Sequence, residues 1–163
     1  MKQINLNLII VLIIALLSLV SVLSCNEQIK HNIKFQQEGF LRILSSEMHD
    51  TLLVKIEFAE SDSEMMQGLM YRHEMAADEG MLFIYPEVKE MYFWMKNTYI
   101  PLDLLFIDED GEIVDLQENA TPLSEKSIMS NVLSRYVLEV NAGFCEKNFV
   151  IIGDKVIWSK LEK

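Results

Sequence analysis

The sequence predicts a mainly β domain, a compact antiparallel barrel or sandwich with one short amphipathic helix. Three observations support this fold class: six or more short apolar segments, turn signals between them, and only one segment with clear helical spacing. Short strands with this punctuation are typical of barrels and two-layered sheets. No repeat or low-complexity tract interrupts the pattern, so one globular domain is expected.

The first strand and the helix are predicted by adjacent patterns. Apolar and charged residues alternate with period two over 52–60, which indicates a half-buried strand. Ser61 and Glu64 then form a capping box, and methionine and leucine recur at helical spacing over 65–70. Gly68 weakens this helix by up to ~1 kcal/mol relative to alanine. We therefore expect another element to pack close to the backbone there.

The rest of the chain alternates between strands and turns. Further strands are expected at 81–85, 91–95, 102–108, 112–116, 136–140 and 156–158. Residues 108–111 predict a hairpin turn in which Gly111 adopts positive φ, and 153–154 predict another turn. Residues 143–148 are a candidate helical turn.

The N-terminus has the layout of a secretory signal. Lys2 precedes an apolar stretch over 8–20, and Cys25 follows Val-Leu-Ser directly, which resembles a bacterial lipobox. We expect three segments: a lipoprotein signal peptide at 1–24, a polar tether at 25–38 with lipidated Cys25, and a globular domain at 39–163. An uncleaved transmembrane anchor is the alternative, because 4–23 is long enough to cross a bilayer. Both predict an exported, membrane-attached protein on the periplasmic or outer face.

Charge and cysteine content restrict the partners. Fourteen Lys and Arg residues stand against 25 Asp and Glu, which gives a formal net charge of −11. No basic run could follow a phosphate backbone, so nucleic acid is not expected as a partner. The expected partners are the membrane, through the lipid, and a small-molecule ligand. Cys145 is the only other cysteine, and we expect it to be buried and reduced because lipidated Cys25 cannot pair with it.

Charged side chains in apolar surroundings indicate a candidate site. Asp103 lies among leucines and therefore requires a donor or a cation, and Lys96 is the nearest cation in sequence. Arg72 continues the apolar stripe of the helix, and Glu139 interrupts an apolar strand. If these four groups converge, they form either a structural ion-pair network or a ligand site.

Five ordered segments carry recognisable motifs: Gly-Leu-Met-Tyr-Arg at 68–72, Gly-Met-Leu-Phe at 80–83, Phe-Trp-Met-Lys-Asn-Thr at 93–98, Ile-Pro-Leu-Asp at 100–103 and Tyr-Val-Leu-Glu-Val-Asn-Ala-Gly at 136–143. Together they resemble the domain-of-unknown-function 192 family, also called uncharacterised protein family 0127, over about residues 53–158. The resemblance implies a small β-rich, often membrane-tethered domain with no established activity. The family's characteristic polar positions correspond here to Arg72, Trp94, Lys96, Asn97, Asp103 and Glu139.

The predicted function is ligand binding by an exported domain. In this hypothesis Trp94 and Phe106 form the floor of a cleft. Arg72 and Lys96 hold a polar or anionic group there, and Asn97 and Asp103 fix its orientation. No cofactor or bound metal ion is expected.

Two alternatives remain. The first is a hydrolase-like enzyme with Asp103 or Glu139 as general base, although no residue supplies a nucleophile, so binding is favoured. The second is copper handling, because seven methionines and His73 fall within 65–95, and thioether and imidazole groups suit copper(I). Methionines at such positions more often fill gaps in a core.

Overall fold

The computed structural model describes residues 33–47 and 50–162. The predicted signal peptide, Cys25 and the tether as far as residue 32 lie outside the described residues. Within the described ranges, no helix is long and apolar enough to span a bilayer.

The described residues form nine strands and two short helices. The strands are β1 (Gly39–Leu44), β2 (Thr51–Ala59), β3 (Glu79–Lys89), β4 (Tyr92–Phe93), β5 (Leu102–Ile107), β6 (Ile113–Ala120), β7 (Ile128–Met129), β8 (Ser134–Asn141) and β9 (Lys155–Lys160). The helices are α1 (Asp62–Gln67) and α2 (Phe144–Asn148). The mainly β fold is confirmed. The predicted amphipathic helix is α1, and the candidate helical turn is α2.

Seven strands form one curled sheet in the order β6-β5-β8-β3-β2-β1-β9, and β4 pairs with β7 separately. Each adjacent pair in the large sheet is antiparallel except β2 and β3, which are parallel. A parallel pair needs a crossover connection, and residues 60–78 with α1 provide it. Strand periodicity does not indicate direction, so this exception to the antiparallel prediction was not visible in the sequence. Strand β1 was also not predicted as a strand.

The two edge strands of the sheet meet at one end. The Val156 amide donates to the Gly111 carbonyl at 2.7 Å, and the Ile113 amide donates to the Asp154 carbonyl at 2.9 Å. Gly111 has φ +80°, as the hairpin prediction required, and a Cβ there would lie 2.6 Å from the Val156 oxygen. The buried Asp154 carboxylate accepts hydrogen bonds from Ser46 and Ile151 beside this junction. The sheet therefore curls into a half-barrel.

The sheet buries side chains on both faces, because strand residues alternate between them. The interior cluster includes Leu41, Ile43, Val54, Ile56, Leu82, Leu105, Ile107, Leu138 and Val156. The outer cluster includes Ala59, Leu69, Met81, Phe83, Met91, Met95, Leu102, Leu104, Phe106 and Val137. All six residues of β5 are buried, so this strand contributes to both clusters.

The crossover covers part of the outer face. The predicted capping box is present at α1: the Ser61 hydroxyl accepts from the Glu64 amide, and the Glu64 carboxylate accepts from the Ser61 amide at 2.9 Å. Gly68 ends the helix with φ +45°, and a Cβ there would approach the Phe83 ring to 3.2 Å. This close approach confirms the packing that the glycine predicted. The candidate site lies beneath this segment.

Candidate functional site

A row of side chains crosses the outer face of the sheet beneath α1. Glu57 of β2 is paired with Met81 of β3, Met81 with Glu139 of β8, and Glu139 with Leu104 of β5. Residues directly opposite each other in a sheet share a face. Two carboxyl groups therefore flank Met81 on this face.

Arg72 provides the cation for this row. Its side chain is 4% exposed, and Nη2 forms a salt bridge with Oε2 of Glu57. The preceding residue, Tyr71, has φ +66°, and its amide donates to the Asn97 carbonyl at 2.8 Å, which holds the turn that carries Arg72. The Nε and Nη1 atoms of Arg72 have no hydrogen-bond partner among the described residues. We call Glu57, Arg72 and Glu139 the buried triad.

The two carboxyl groups of the buried triad differ in their ionisation. Burial raises the pKa of Glu139 to about 8, although the charge of Arg72 opposes the shift. Burial also raises the pKa of Glu57, but a 2.7 Å hydrogen bond from the Gln36 amide and the charge of Arg72 counteract this. The salt bridge makes Glu57 the counter-ion of Arg72, whereas a pKa of about 8 leaves Glu139 largely protonated at neutral pH.

Glu139 lines a cleft of about 80 Å³, which we call the aromatic cleft. Five aromatic side chains line it: Phe83, Tyr85, Tyr92, Phe93 and Trp94. The remaining lining residues are Met65, Met66, Gln67, Gly68, Leu69, Met70 and Thr98. Trp94 is 49% exposed and Tyr92 58%, whereas Glu139 is 5% exposed. The aromatic cleft thus has an aromatic rim and a carboxyl group at its base.

Lys96 and Asn97 lie beside the rim rather than in the aromatic cleft. The Lys96 ammonium is 5.3 Å from the centre of the Trp94 ring and 3.8 Å from Oε1 of Glu125. Asn97 has φ +56°, and its amide donates to the Tyr71 hydroxyl at 2.9 Å. Asn97 therefore connects the rim to the turn that carries Arg72.

Asp103 lies away from the other candidate residues, in the interior. It is fully buried and follows the alternation that places Leu105 on that face, as predicted. One carboxylate oxygen accepts from the Asn119 amide at 2.9 Å and the other from the Cys145 amide at 3.1 Å. The expected pairing with Lys96 is replaced by these two backbone donors. The structure therefore brings Arg72 and Glu139 together but separates Asp103 from them.

Cys145 is 1% exposed, in agreement with the expectation that it is buried. Burial raises the pKa of its thiol well above the usual range, and the Asp103 carboxylate raises it further. The possible ligand atoms of Asp103, Glu118 and Cys145 lie within 4.8 Å of one another. Asp103 already accepts two backbone hydrogen bonds here, so its place in this cluster follows from its structural role.

The methionines fall into two groups. Met81, Met91 and Met95 are at most 6% exposed and fill the outer core. Met65, Met66 and Met70 line the aromatic cleft. His73 stacks on Tyr99 with ring centres 4.6 Å apart. Core filling therefore accounts for the first group.

Two functional features were missed by the sequence analysis. Glu57, the partner of Arg72, was not predicted as a site residue, although it stands in the nearly apolar run Ile-Glu-Phe-Ala. Tyr85 and Tyr92 were not predicted to line a cleft. A buried arginine requires a counter-ion, so a search for a carboxylate in an apolar strand could have found Glu57.

The comparisons identify related proteins. The family model DUF192, described as "Uncharacterized ACR", matches residues 44–158. A protein from Sinorhizobium meliloti 1021, whose crystal structure is described as that of a "putative transcription regulator", is 41% identical to this chain in sequence. The match covers 77% of this chain and 97% of that chain, with a TM-score of 0.73. A protein of unknown function from Novosphingobium aromaticivorans DSM 12444 is 30% identical, with a TM-score of 0.72 over 78% of this chain and 90% of that chain. No curated protein matches the chain.

Asp103 and Lys96 should differ sharply in their effect on stability. Asp103→Ala leaves one buried and one partly buried backbone N–H group without an acceptor, so the free energy of unfolding should fall by about 3 kcal/mol. Lys96→Met removes an exposed ion pair and should change it by less than ~1 kcal/mol. Urea denaturation of the full chain measures both. Equal large losses in the two variants would contradict the separation of these residues.

Glu139 should make stability depend on pH. Its pKa rises from 4.5 to about 8 on folding, so between these values the folded state holds one more proton than the unfolded state. The free energy of unfolding of the wild type should therefore fall with rising pH by about 1.4 kcal/mol per unit more than that of Glu139→Gln. Urea denaturation from pH 5 to 7.5 measures the slopes, with the exposed Glu109→Gln as control. Parallel slopes for wild type and Glu139→Gln would refute the raised pKa.

Proposed function

The chain belongs to the DUF192 family, and from that premise we propose that it is an exported, lipid-tethered binding module that holds a small molecule by a polar head group in the aromatic cleft. The observation that carries the proposal is the combination of exposed Trp94 at the rim with buried Glu139 at the base. Binding sites are mostly apolar concavities with a few convergent polar groups, and they often hold residues with perturbed pKa values. Of these features, the aromatic cleft has aromatic and methionine residues in its lining and a buried carboxyl group with a raised pKa.

The exposure of Trp94 supports a surface role. A tryptophan that served only the core would be covered, whereas half of this side chain is accessible beside Tyr92. Tryptophan and tyrosine provide large contact areas at a low cost in conformational entropy, which is why they are enriched in binding sites. The neighbouring Phe93 packs inward, edge-on to Phe83 and Phe106, and supports the rim from beneath.

The tether supports attachment close to the membrane. The amide of Gln36 donates to Glu57, and the amide of Phe58 donates to Glu38, so the chain is held against β2 from about residue 36. If Cys25 carries the lipid, about ten residues connect it to this point. That spacer reaches at most ~36 Å when fully extended. A module attached in this way would meet its ligand near the membrane surface.

Nucleic-acid binding is not part of the proposal, although the Sinorhizobium relative is described as a "putative transcription regulator". The net charge of −11 opposes approach to a phosphate backbone, which supplies most of the affinity in non-specific binding.

A second candidate function is an enzyme in which Glu139 acts as general acid or base. One observation favours it: a carboxyl group with a pKa of about 8 is suited to proton transfer near neutral pH. Asp103, the other predicted base, accepts two backbone hydrogen bonds in the interior. Thr98 is the one aliphatic hydroxyl in the lining, and it donates to the Lys96 carbonyl. The attacking group would therefore have to be water, and binding remains the better-supported function.

The lipid anchor is tested by the mass of the intact protein. We expect the membrane-extracted chain to lack residues 1–24 and to carry acyl chains on Cys25. Cys25→Ala should retain the signal and accumulate as an unacylated precursor, with Cys145→Ala as the matched cysteine control. An unmodified chain that begins at Met1 and still sediments with membranes would favour the transmembrane anchor.

Ligand binding is tested by thermal denaturation of the detergent-solubilised full chain with small molecules grouped by head group: carboxylates, phosphates, amines and neutral polyols. A ligand at one hundred times its Kd stabilises the folded state by about 2.7 kcal/mol. We expect one group to stabilise the wild type and to lose this effect in Trp94→Ala. Phe149→Ala, which removes an aromatic residue that is 66% exposed and does not line the cleft, is the control. An effect that survives Trp94→Ala, or no effect from any group, would contradict the proposal.

A further inference from the structure

We infer that the aromatic cleft is built for an organic ammonium head group, a primary or methylated amine, rather than for an anion. The inference rests on the proposed binding function and specifies its ligand. The sequence predicted a polar or anionic ligand, and the inferred ligand has the opposite charge. The two cations expected to hold an anion form ion pairs within the protein, Arg72 with Glu57 and Lys96 with Glu125.

The charge of the lining supports a cation. Among the described residues that line the aromatic cleft, Glu139 is the one with an acidic side chain, and none is lysine or arginine. Arg72 lines a neighbouring pocket on the other side of Gly68, together with Glu38, Glu57 and Glu64. An anion that approached Arg72 from that side would pass three carboxyl groups. The net charge of −11 also attracts cations to the protein over a longer range.

The aromatic rings supply the second part of the argument. Ammonium groups are attracted to the faces of aromatic rings, and sites that recognise quaternary ammonium ligands are commonly cages of such rings. Two rings of the lining already show this preference within the protein. The Lys89 ammonium lies 4.3 Å from the centre of the Tyr85 ring, and the Lys96 ammonium lies 5.3 Å from that of Trp94. These contacts show that both rings attract cations, and a ligand cation would have to displace these lysines or lie on the opposite ring faces.

The size of the aromatic cleft also restricts the ligand. About 80 Å³ is well below the several hundred Å³ of sites that enclose a drug-sized molecule. It is sufficient for a compact head group, and the rest of the ligand would extend past Tyr92 and Trp94 into solvent. The carboxyl group of Glu139 lies at the base, where such a head group would end.

Binding of a cation should release a proton. Glu139 is largely protonated at neutral pH, and an ammonium group beside it favours the carboxylate, so the proton moves to solvent as the ligand enters. The charged and titratable neighbours of Glu139 are Arg72 after α1 and Tyr85 on β3, with Glu57 on β2 as the counter-ion of Arg72. Burial holds the pKa of Tyr85 at about 12, so Tyr85 stays neutral throughout. Glu139 is therefore the group that titrates on binding.

The test uses three probes of similar size on the detergent-solubilised full chain: choline, its uncharged isostere 3,3-dimethylbutan-1-ol, and propionate. Isothermal titration calorimetry should show saturable binding of choline, with at least ~10-fold weaker binding of the isostere and of propionate. Between pH 6 and 8 the affinity for choline should rise towards tenfold per pH unit, and it should level off above pH 8. Titrations in buffers of different ionisation enthalpy should detect about one released proton per choline.

Variants separate the ring faces from the carboxyl group. Glu139→Gln should lower choline affinity by at least ~10-fold and abolish its pH dependence, whereas Glu109→Gln, the same substitution in an exposed turn, should do neither. Trp94→Leu should weaken choline binding and preserve the pH dependence. Lys96→Met should bind choline at least as tightly as the wild type. Because the pH profile of the wild type needs no variant, the inference stays testable if Glu139→Gln does not fold.

The outcomes also separate this inference from the function on which it rests. Equal affinity for choline and its isostere, tighter binding of propionate, or choline binding without pH dependence would overturn the ammonium inference. If another head group stabilises the protein through Trp94 while choline does not bind, the inference fails and the binding function stands. If no head group of any kind binds, both fail.

Discussion

A guanidinium group buried against a β-sheet requires a carboxylate, and here Arg72 meets Glu57 on the outer face of the sheet. Breaking such a pair by removing one partner costs ~3–5 kcal/mol, because the remaining charge stays buried. The pair ties the crossover after α1 to β2, the strand from which that crossover departs. The hydrogen bond from the Tyr71 amide to the Asn97 carbonyl holds the same segment from its other side. The aromatic cleft exists because this segment is held over the sheet at Gly68 while the rim residues remain exposed.

Alternation along the strands divides two similar acids between two environments. Asp103 and Glu139 lie on adjacent strands and are both nearly inaccessible, yet they face opposite sides of the sheet. The interior supplies Asp103 with two backbone N–H groups, which stabilise a carboxylate without any cation. The outer face supplies Glu139 with a neighbouring Arg72 whose charge is already balanced by Glu57. Asp103 therefore contributes to the fold, and Glu139 retains a proton that can be exchanged.

The parts of this arrangement that the sequence predicted are those governed by local periodicity. The alternation over β5 placed Asp103 on the same face as Leu105, the capping box located α1, and Gly111 marked a hairpin turn. The partners of Asp103 could not be predicted, because backbone amides 16 and 42 residues away have no side-chain signature. The same limit applies to Glu57, which reaches Arg72 only because the crossover folds back over its own strand.

The energetic cost of burying the carboxyl group of Glu139 supports a role in function rather than in folding. At neutral pH its raised pKa means that burial disfavours its ionised form, and an apolar side chain at this position would carry no such penalty. Arg72 does not require it, since Glu57 already provides the counter-charge. Asp103, which has a structural role, is fully buried and accepts two backbone hydrogen bonds. Glu139 instead lies at the base of an accessible cleft with a partly exposed aromatic rim, where an incoming cation could restore the charge that burial suppresses. If the proposed ammonium ligand binds here, this penalty becomes a source of selectivity, because only a ligand of positive charge can relieve it.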